Sequence, residues 1–350
     1  MSQLSVSADA LRGLTAALFR AHGLAAAKAD GVADSLVCAD LEGVASHGVT
    51  MVPLYLQRIG QGSVDPHAEP VVVEDHGGLV VMSARNALGQ VSARAAVALA
   101  TARARQHGVS VVSVRHSFHF GTASYWARQF TAAGMVGFAF SNTRPLMPAP
   151  GGAERVVGNN PMAIAFPARE DEPLVVDMAM SATAMGKIRL AEAKGEPIPP
   201  GWATNAAGQA TTSATEAIQG MLLPAAGPKG FGLAVAIDLL CGALADGAVG
   251  AAVRPLYGEL DKPYDCSHAF IAIDAARLHG GAGIAPQVAG FAQAIRDSRR
   301  APDTERIYAP GDLERARHAS NGAHCPISGD LAHKLNRLSA DAGIAERLPA

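Results

Sequence analysis

Ser46, His47 and Gly48 put a hydroxyl, an imidazole and a bare backbone on three successive residues. Imidazole is the side chain best placed to give or take a proton near neutral pH, because its ordinary pKa of ~6.5 lies close to working conditions. The neighbouring hydroxyl can orient the ring, and the glycine lets the backbone approach a ligand closely. The same tripeptide would also serve as a plain turn between helices, with Ser46 as N-cap and His47 in solvent. Two further features suit an anion. Gly121 opens a helical pattern whose first amides could face a phosphate, and Lys229, between Gly227 and Gly230 at another helix start, offers a point charge. An ordinary N-cap and a solvated lysine are the plain alternatives. His116 and His119 are three apart, but no carboxylate or cysteine joins them at ligand spacing, so no metal site is expected. A Gly-x-Gly-x-x-Gly fingerprint and a Walker A loop are both missing from the sequence.

The elements around these residues can be read from periodicity. A helical pattern starts at Ser7, runs through Leu11, Leu14, Ala17 and Leu18, and stops at Gly23; a second covers about Ala26 to Leu41 and stops at Gly43. The Ser-His-Gly turn follows at once. Another helical segment spans 49–59, where Pro53 is tolerable only in the first turn, so His47 is expected where helices meet. From Pro70 the period changes: Val71 to Val73 and Leu79 to Met82 read as strands about a glycine turn. An alanine-rich helix from about Leu88 to His107, a strand from Val109 to Val114, a helix over 122–133 and a strand from Val136 to Phe140 imply a sheet covered by helices. Loop follows from Asn142 to Pro161, then strands at Met162 to Phe166 and Leu174 to Asp177, and a helix from about Ala182 to Ala193. After an irregular excursion from Gly195 to Ala214 comes an apolar helix, Phe231 to Ala245, expected to be buried. A strand from Ala269 to Ile273 and helices near 286–297, 313–319 and 331–342 finish the chain. Because helices open and close it, residues 1–69 with 284–350 are expected to form one discontinuous helical domain, and 70–283 a mixed-sheet domain.

Composition narrows the function classes. Of 350 residues, 49% are hydrophobic and only 5% aromatic, so the core must be built from Ala, Val, Leu and Ile. A formal net charge of −2 gives no general attraction to nucleic acid or to an anionic membrane. Cys38, Cys241, Cys266 and Cys325 are scattered and read as reduced thiols of a cytoplasmic protein. The start, Met1-Ser2-Gln3-Leu4-Ser5, lacks the basic and apolar regions of a secretory signal. The run from Gly230 to Gly242 contains Asp238 and is shorter than the ~20 apolar residues of a membrane span.

The stretch from Asp40 to Gly48 resembles the signature of the type 2 malate/L-lactate dehydrogenase family, which also includes sulfolactate, ureidoglycolate and diketogulonate dehydrogenases and the piperideine and pyrroline carboxylate reductases. The likeness recurs in order at His119-Phe120-Gly121, Asn142-Thr143, Gly151-Gly152, Gly158-Asn159-Asn160-Pro161, Asp177-Met178-Ala179, Gly186-Lys187-Ile188, Gly195 to Pro199, Leu223-Pro224 and Pro228-Lys229-Gly230. It implies a non-Rossmann α/β fold, in which a mixed sheet covered by helices accompanies a helical domain made from both chain ends. A homodimer with its site near the subunit contact is implied as well, and NAD or NADP held without the glycine fingerprint. The resemblance carries cofactor contact to His119, Phe120, Gly121, Thr122, Ala123, Asp177, Met178, Ala179, Pro228 and Lys229, and to the segment from Arg306 to Gly311. It makes His47 the proton donor and acceptor for the substrate, with Ser46 in support and Lys187 beside the reacting group. Imine reductases of the family carry an acid at the position of Lys187, so lysine there argues for hydroxy acids.

Two departures bear on the substrate. Position 51, commonly an arginine suited to a substrate carboxylate, is methionine, and the usual Gly-Thr-Asn-Pro is Gly158-Asn159-Asn160-Pro161. Arg144, in the loop after Asn142 and Thr143, and Asn159 are therefore the expected substrate-binding residues. The resulting expectation is an NAD(P)-dependent oxidoreductase acting on a small 2-hydroxy acid of the malate, lactate or sulfolactate type. A cyclic-imine reductase is the alternative within the class. A cofactor-free histidine hydrolase or lyase and a noncatalytic binding protein are the rivals outside it.

Overall fold

The computed structural model describes residues 3–169 and 172–349. Strand β1 (Gln3–Ser7) leads into helix α1 (Ala8–Ala21), where the Ser7 hydroxyl accepts the Ala10 N–H as N-cap. Helix α2 (Ala26–Leu41) follows, and two 3-10 turns, Ala45–His47 and Val49–Met51, lead to α3 (Val52–Gly60). The chain then forms β2 (Val71–His76), β3 (Leu79–Ser83), α4 (Gly89–His107), β4 (Val109–Ser117), α5 (Ala123–Thr131) and β5 (Val136–Ser141). A small pair, β6 (Met147–Pro148) and β7 (Arg155–Val157), precedes β8 (Met162–Arg169) and β9 (Glu172–Met178). Next come α6 (Met185–Lys194), β10 (Ala203–Thr204), β11 (Ala210–Thr211), α7 (Ala214–Gln219), β12 (Met221–Leu222) and α8 (Pro228–Cys241). Strand β13 (Cys266–Ile273), α9 (Ala285–Arg296), α10 (Asp312–Asn321), β14 (His324–Ser328) and α11 (Gly329–Asp341) complete it.

Seven strands make one mixed sheet in the order β2-β3-β4-β13-β5-β8-β9. Only β3 and β4 run parallel; the other neighbours are antiparallel. Alanine explains how closely the layers approach. Ala93, Ala96, Ala100 and Ala104 of α4 are buried with Val80, Val112 and Val114 of the sheet, so the helix backbone can lie near the strands without side chains to prop it away. The two chain ends meet through β1 and β14, which pair antiparallel with Leu4 opposite Ile327. Leu11, Leu14, Leu18 and Phe19 of α1 pack there in one core with Leu36, Tyr55, Cys325 and Leu335, each such side chain stabilising the fold by ~1.5–3 kcal/mol.

Three features differ from the sequence reading. The terminal strand pair is not marked by alternation strong enough to stand out beside the helices. Helix α9, expected with the terminal helices, packs on β8 and β9 instead. Helix α8 buries Gly230, Ala234, Ile237 and Cys241 on one face and leaves Leu233 and Leu239 each 50% exposed on the other. Because nearly every position of α8 is apolar, its sequence has no polar stripe to show which side faces out.

Candidate active site

The Ser-His-Gly turn is built from beneath by Asp40. This buried α2 residue accepts the Val49 N–H on Oδ2 at 2.8 Å, which fixes the start of the second 3-10 turn. Burial pushes the Asp40 carboxyl up to about 7, partly opposed by that hydrogen bond. Above the turn, Ser46 Oγ lies 2.9 Å from His47 Nδ1, leaving Nε2 of His47 as the free ring atom. His47 is half-buried at a cleft wall, and desolvation holds its pKa below the ordinary histidine value.

His119 follows β4 in the segment entering α5, and its ring centroid is 5.3 Å from that of His47. Its Nδ1 has two polar neighbours: the hydroxyl of fully buried Tyr55 at 2.5 Å and the Gly121 N–H at 3.4 Å. Gln90 Nε2 in turn donates to the Tyr55 oxygen at 3.5 Å. With Nδ1 accepting, His119 is the neutral tautomer that carries its proton on Nε2. Burial, then the nearby rings of His47 and His268, keep its pKa well below the ordinary value.

Both rings line a cleft of about 1900 Å³. That exceeds the ~300–1,000 Å³ of a pocket for one small ligand and has room for a dinucleotide and a substrate together. Its lining includes His47, His119, Asn159, Arg144 and Lys187 together with Tyr257 and Tyr264. Arg144 is set in place by its neighbours: Asn160 Oδ1 accepts the Thr143 N–H at 2.8 Å, and the Thr143 hydroxyl donates to Asn159 Oδ1 at 3.0 Å. Asn159 thus ties down the loop that carries Arg144 while it also faces the cleft. Among the described residues, no salt bridge pairs Arg144, Lys187 or Arg189.

Phe120 to Ala123, Asp177 to Ala179 and Tyr308 to Gly311 line the cleft as well. Asp177 is open to the cleft and accepts the Ser124 N–H on Oδ2 at 3.0 Å. The first turn of α5, read from sequence as a phosphate cradle, therefore already faces a carboxylate, which favours hydroxyl groups over phosphate beside it. Glu42 and Arg128 form an ion pair in the same region. Pro228 and Lys229 open α8 at exposed positions outside the residues that line the cleft. Arg306 is outside them too, although its guanidinium stands 5.1 Å from the centroid of Tyr308, which does line it. Among the described residues there is no group of three or more His, Cys, Asp or Glu able to hold a metal ion.

Sequence reasoning missed Tyr55, Gln90, Tyr257, Tyr264 and Arg189. Tyr55 sits eight residues beyond His47, one helix turn past the 3-10 pair, and its position on α3 was the available signal. The others come from distant segments that only the fold brings to the cleft. Arg58 lies eleven residues after His47, on α3. It is fully buried, and its guanidinium donates to the carbonyls of Pro255, Leu256, Gly258 and Lys262, so it anchors the segment that carries Tyr257.

Two imidazoles and three unpaired cationic side chains, Arg144, Lys187 and Arg189, thus line one cleft of about 1900 Å³ among the described residues. The sequence profile of the malate/L-lactate dehydrogenase family matches residues 6–336, and the chain belongs to that family. It is 33% identical over 324 residues to a malate dehydrogenase of Pyrococcus abyssi, covering 89% of this chain and 88% of the relative. A Δ1-pyrroline-2-carboxylate reductase of Burkholderia ambifaria is 30% identical, with 93% of this chain and 95% of the relative covered. Among solved structures, the sulfolactate dehydrogenase of Methanocaldococcus jannaschii superposes with a TM-score of 0.92 at 31% identity, over 97% of this chain and 98% of that one.

Proposed function

We propose that this protein interconverts a small 2-hydroxy acid and its 2-oxo acid with NAD or NADP. The observation that carries the reading is the His47–His119 pair, 5.3 Å apart between ring centroids, in a cleft that Arg144 and Lys187 also line. The remaining walls suit a dinucleotide: Asp177 keeps acceptor capacity for a ribose hydroxyl, and Gly121, with φ +83°, leaves its side of the wall free of a Cβ. Phe120 to Ala123, Asp177 to Ala179 and Gly311 would hold the cofactor, and the nicotinamide supplies or accepts the hydride.

His47 moves the proton. In reduction its protonated ring gives a proton from Nε2 to the substrate oxygen, and in oxidation the neutral ring takes it back. Ser46 holds the ring through Nδ1. His119 stays neutral, because burial first and then the His47 ring 5.3 Å away disfavour its charged form, and its Nε2–H polarises the same oxygen. Arg144 pairs the carboxylate, and Lys187 stands beside the reacting group.

The same reading includes a homodimer. The exposed face of α8 carries Gly232, Leu233, Ala236, Leu239 and Leu240, and the 3-10 turn that follows adds Ala243 and Leu244, an apolar strip with small residues between the leucines that suits close packing against a second copy.

Loss of NADH and NADPH absorbance with a panel of 2-oxo acids and cyclic imines tests the activity. Turnover of cyclic imines alone would transfer the assignment to imine reduction, the activity named for the Burkholderia relative. Absence of any nicotinamide-dependent turnover would remove the dehydrogenase reading.

A further inference from the structure

We propose that Arg189 determines substrate specificity: from α6 it holds the second acidic group of a dianionic 2-oxo acid whose first carboxylate is held by Arg144. The inference rests on the dehydrogenase reading above. Position 51 is a buried methionine, and the Tyr257 hydroxyl lies 3.6 Å from its sulfur. The guanidinium carbon of Arg189 stands 6.0 Å from the centroid of that same Tyr257 ring. A guanidinium thus reaches the neighbourhood of Met51 from a different element of the fold.

Charge around Arg144 is unbalanced. Burial first, then Arg155 and, more weakly, Arg189 push the Arg144 guanidinium down against the opposing Tyr264 hydroxyl, and no carboxylate stands among the groups acting on it. The acids of the cleft gather elsewhere: Asp177 feels Glu314 and Glu42, and Glu42 is paired with Arg128. Arg144 and Arg189 both line the cleft without a carboxylate partner among the described residues, and each is stabilised by an anion that arrives with the ligand. A monoanionic substrate neutralises one of them. A substrate with acidic groups at both ends neutralises both, and a carboxylate or a sulfonate presents the oxygen pair that suits a guanidinium fork. Arg189 is exposed to solvent, so it meets the outer group of the substrate, whereas half-buried Arg144 meets the group nearer the reacting carbon.

The test is steady-state reduction of oxaloacetate, 3-sulfopyruvate and pyruvate with NADH and NADPH by wild-type protein, Arg189→Met and Arg189→Lys. Wild type is expected to show kcat/KM at least ~10-fold higher for one of the two dianions than for pyruvate, and which dianion it prefers separates carboxylate from sulfonate recognition. Arg189→Met is expected to lower that ratio at least ~10-fold, chiefly through KM for the dianion, with part of the loss restored in Arg189→Lys. Equal use of pyruvate and the dianions by wild type, or an unchanged ratio in Arg189→Met, overturns the specificity assignment and leaves the dehydrogenase reading standing. If wild type reduces none of the three with either cofactor, the 2-oxo acid reading falls and this assignment with it.

Discussion

A Cβ added to Gly48 would stand 2.1 Å from Oδ1 of Asp40. The glycine in the Ser-His-Gly turn is therefore required by the carboxylate beneath it, and the two residues together set the height at which His47 enters the cleft. Gly48→Ala must push the turn or the carboxylate aside, and we expect kcat to fall at least ~10-fold while cofactor affinity, measured by fluorescence titration, changes little. Normal turnover in this variant would show that the turn adapts without cost to the chemistry.

The raised Asp40 carboxyl also predicts how stability depends on pH. Its folded value of about 7 lies above the unfolded 3.8, so the folded state binds the extra proton between these values. Its contribution to stability is fully present below pH 3.8 and is lost as pH rises toward 7. Asp40→Asn keeps an oxygen for the Val49 N–H and does not titrate. Melting curves from pH 4 to 7 should show a smaller decline on raising pH in Asp40→Asn than in wild type; parallel curves would mean that Asp40 stays ionised throughout.

For His47 the direction of the shift decides the pH profile. Reduction needs the protonated ring and oxidation the neutral one, and burial lowers the pKa from 6.5. The rate of reduction should therefore fall as pH rises through a value below 6.5, while oxidation rises through the same value and levels off near neutrality. His47→Ala should lose ~10²-fold or more in kcat and this limb of the profile with it. Retention of the limb in His47→Ala would transfer the titrating role to another group.

Part of the cleft lining was legible, from residue type at His47 and from the family resemblance elsewhere, because it lies in short local runs. His47 with Ser46, the segment from His119 to Ala123 and that from Asp177 to Ala179 all line the cleft. Helices α4, α10 and α11 were legible because apolar spacing and glycine stops agree there. What stayed hidden depends on contacts made at long range. Tyr55 and His119 are 64 residues apart in the chain, and the partners of Arg58 lie about 200 residues beyond it. No local pattern encodes such a meeting. Lys229 shows the opposite error: its place between glycines at a helix start is a genuine local feature, yet that helix start is outside the cleft walls.

Tyr55 gives a prediction of its own. Its hydroxyl, 2.5 Å from His119 Nδ1, fixes the tautomer that leaves the proton on Nε2. Tyr55→Phe keeps the ring volume and removes the hydroxyl, so His119 is free to turn or to change tautomer. A fall in kcat of ~10-fold with KM nearly constant is expected. If kcat were unchanged, the Gly121 N–H would suffice to hold the ring.

Arg144 and Arg58 separate binding from architecture. A carboxylate entering this cleft needs a cation, since an unpaired charge in a desolvated site costs several kcal/mol. Met51 cannot provide one. Arg144 lines the cleft without a salt-bridge partner among the described residues, so Arg144→Met should raise KM for the best acidic substrate at least ~10-fold, about 1.4 kcal/mol where KM approximates Kd, with little change in Tm. Arg58 donates to carbonyls of the segment from Pro255 to Lys262, and removing it strands those acceptors. Arg58→Met should therefore appear first in thermal unfolding, with a loss of ~3 kcal/mol or more, and should raise KM less than Arg144→Met. Should Arg144→Met bind the acid as well as wild type, the carboxylate is held by Lys187 or Arg189 instead, and comparing KM in Lys187→Met and Arg189→Met then identifies which.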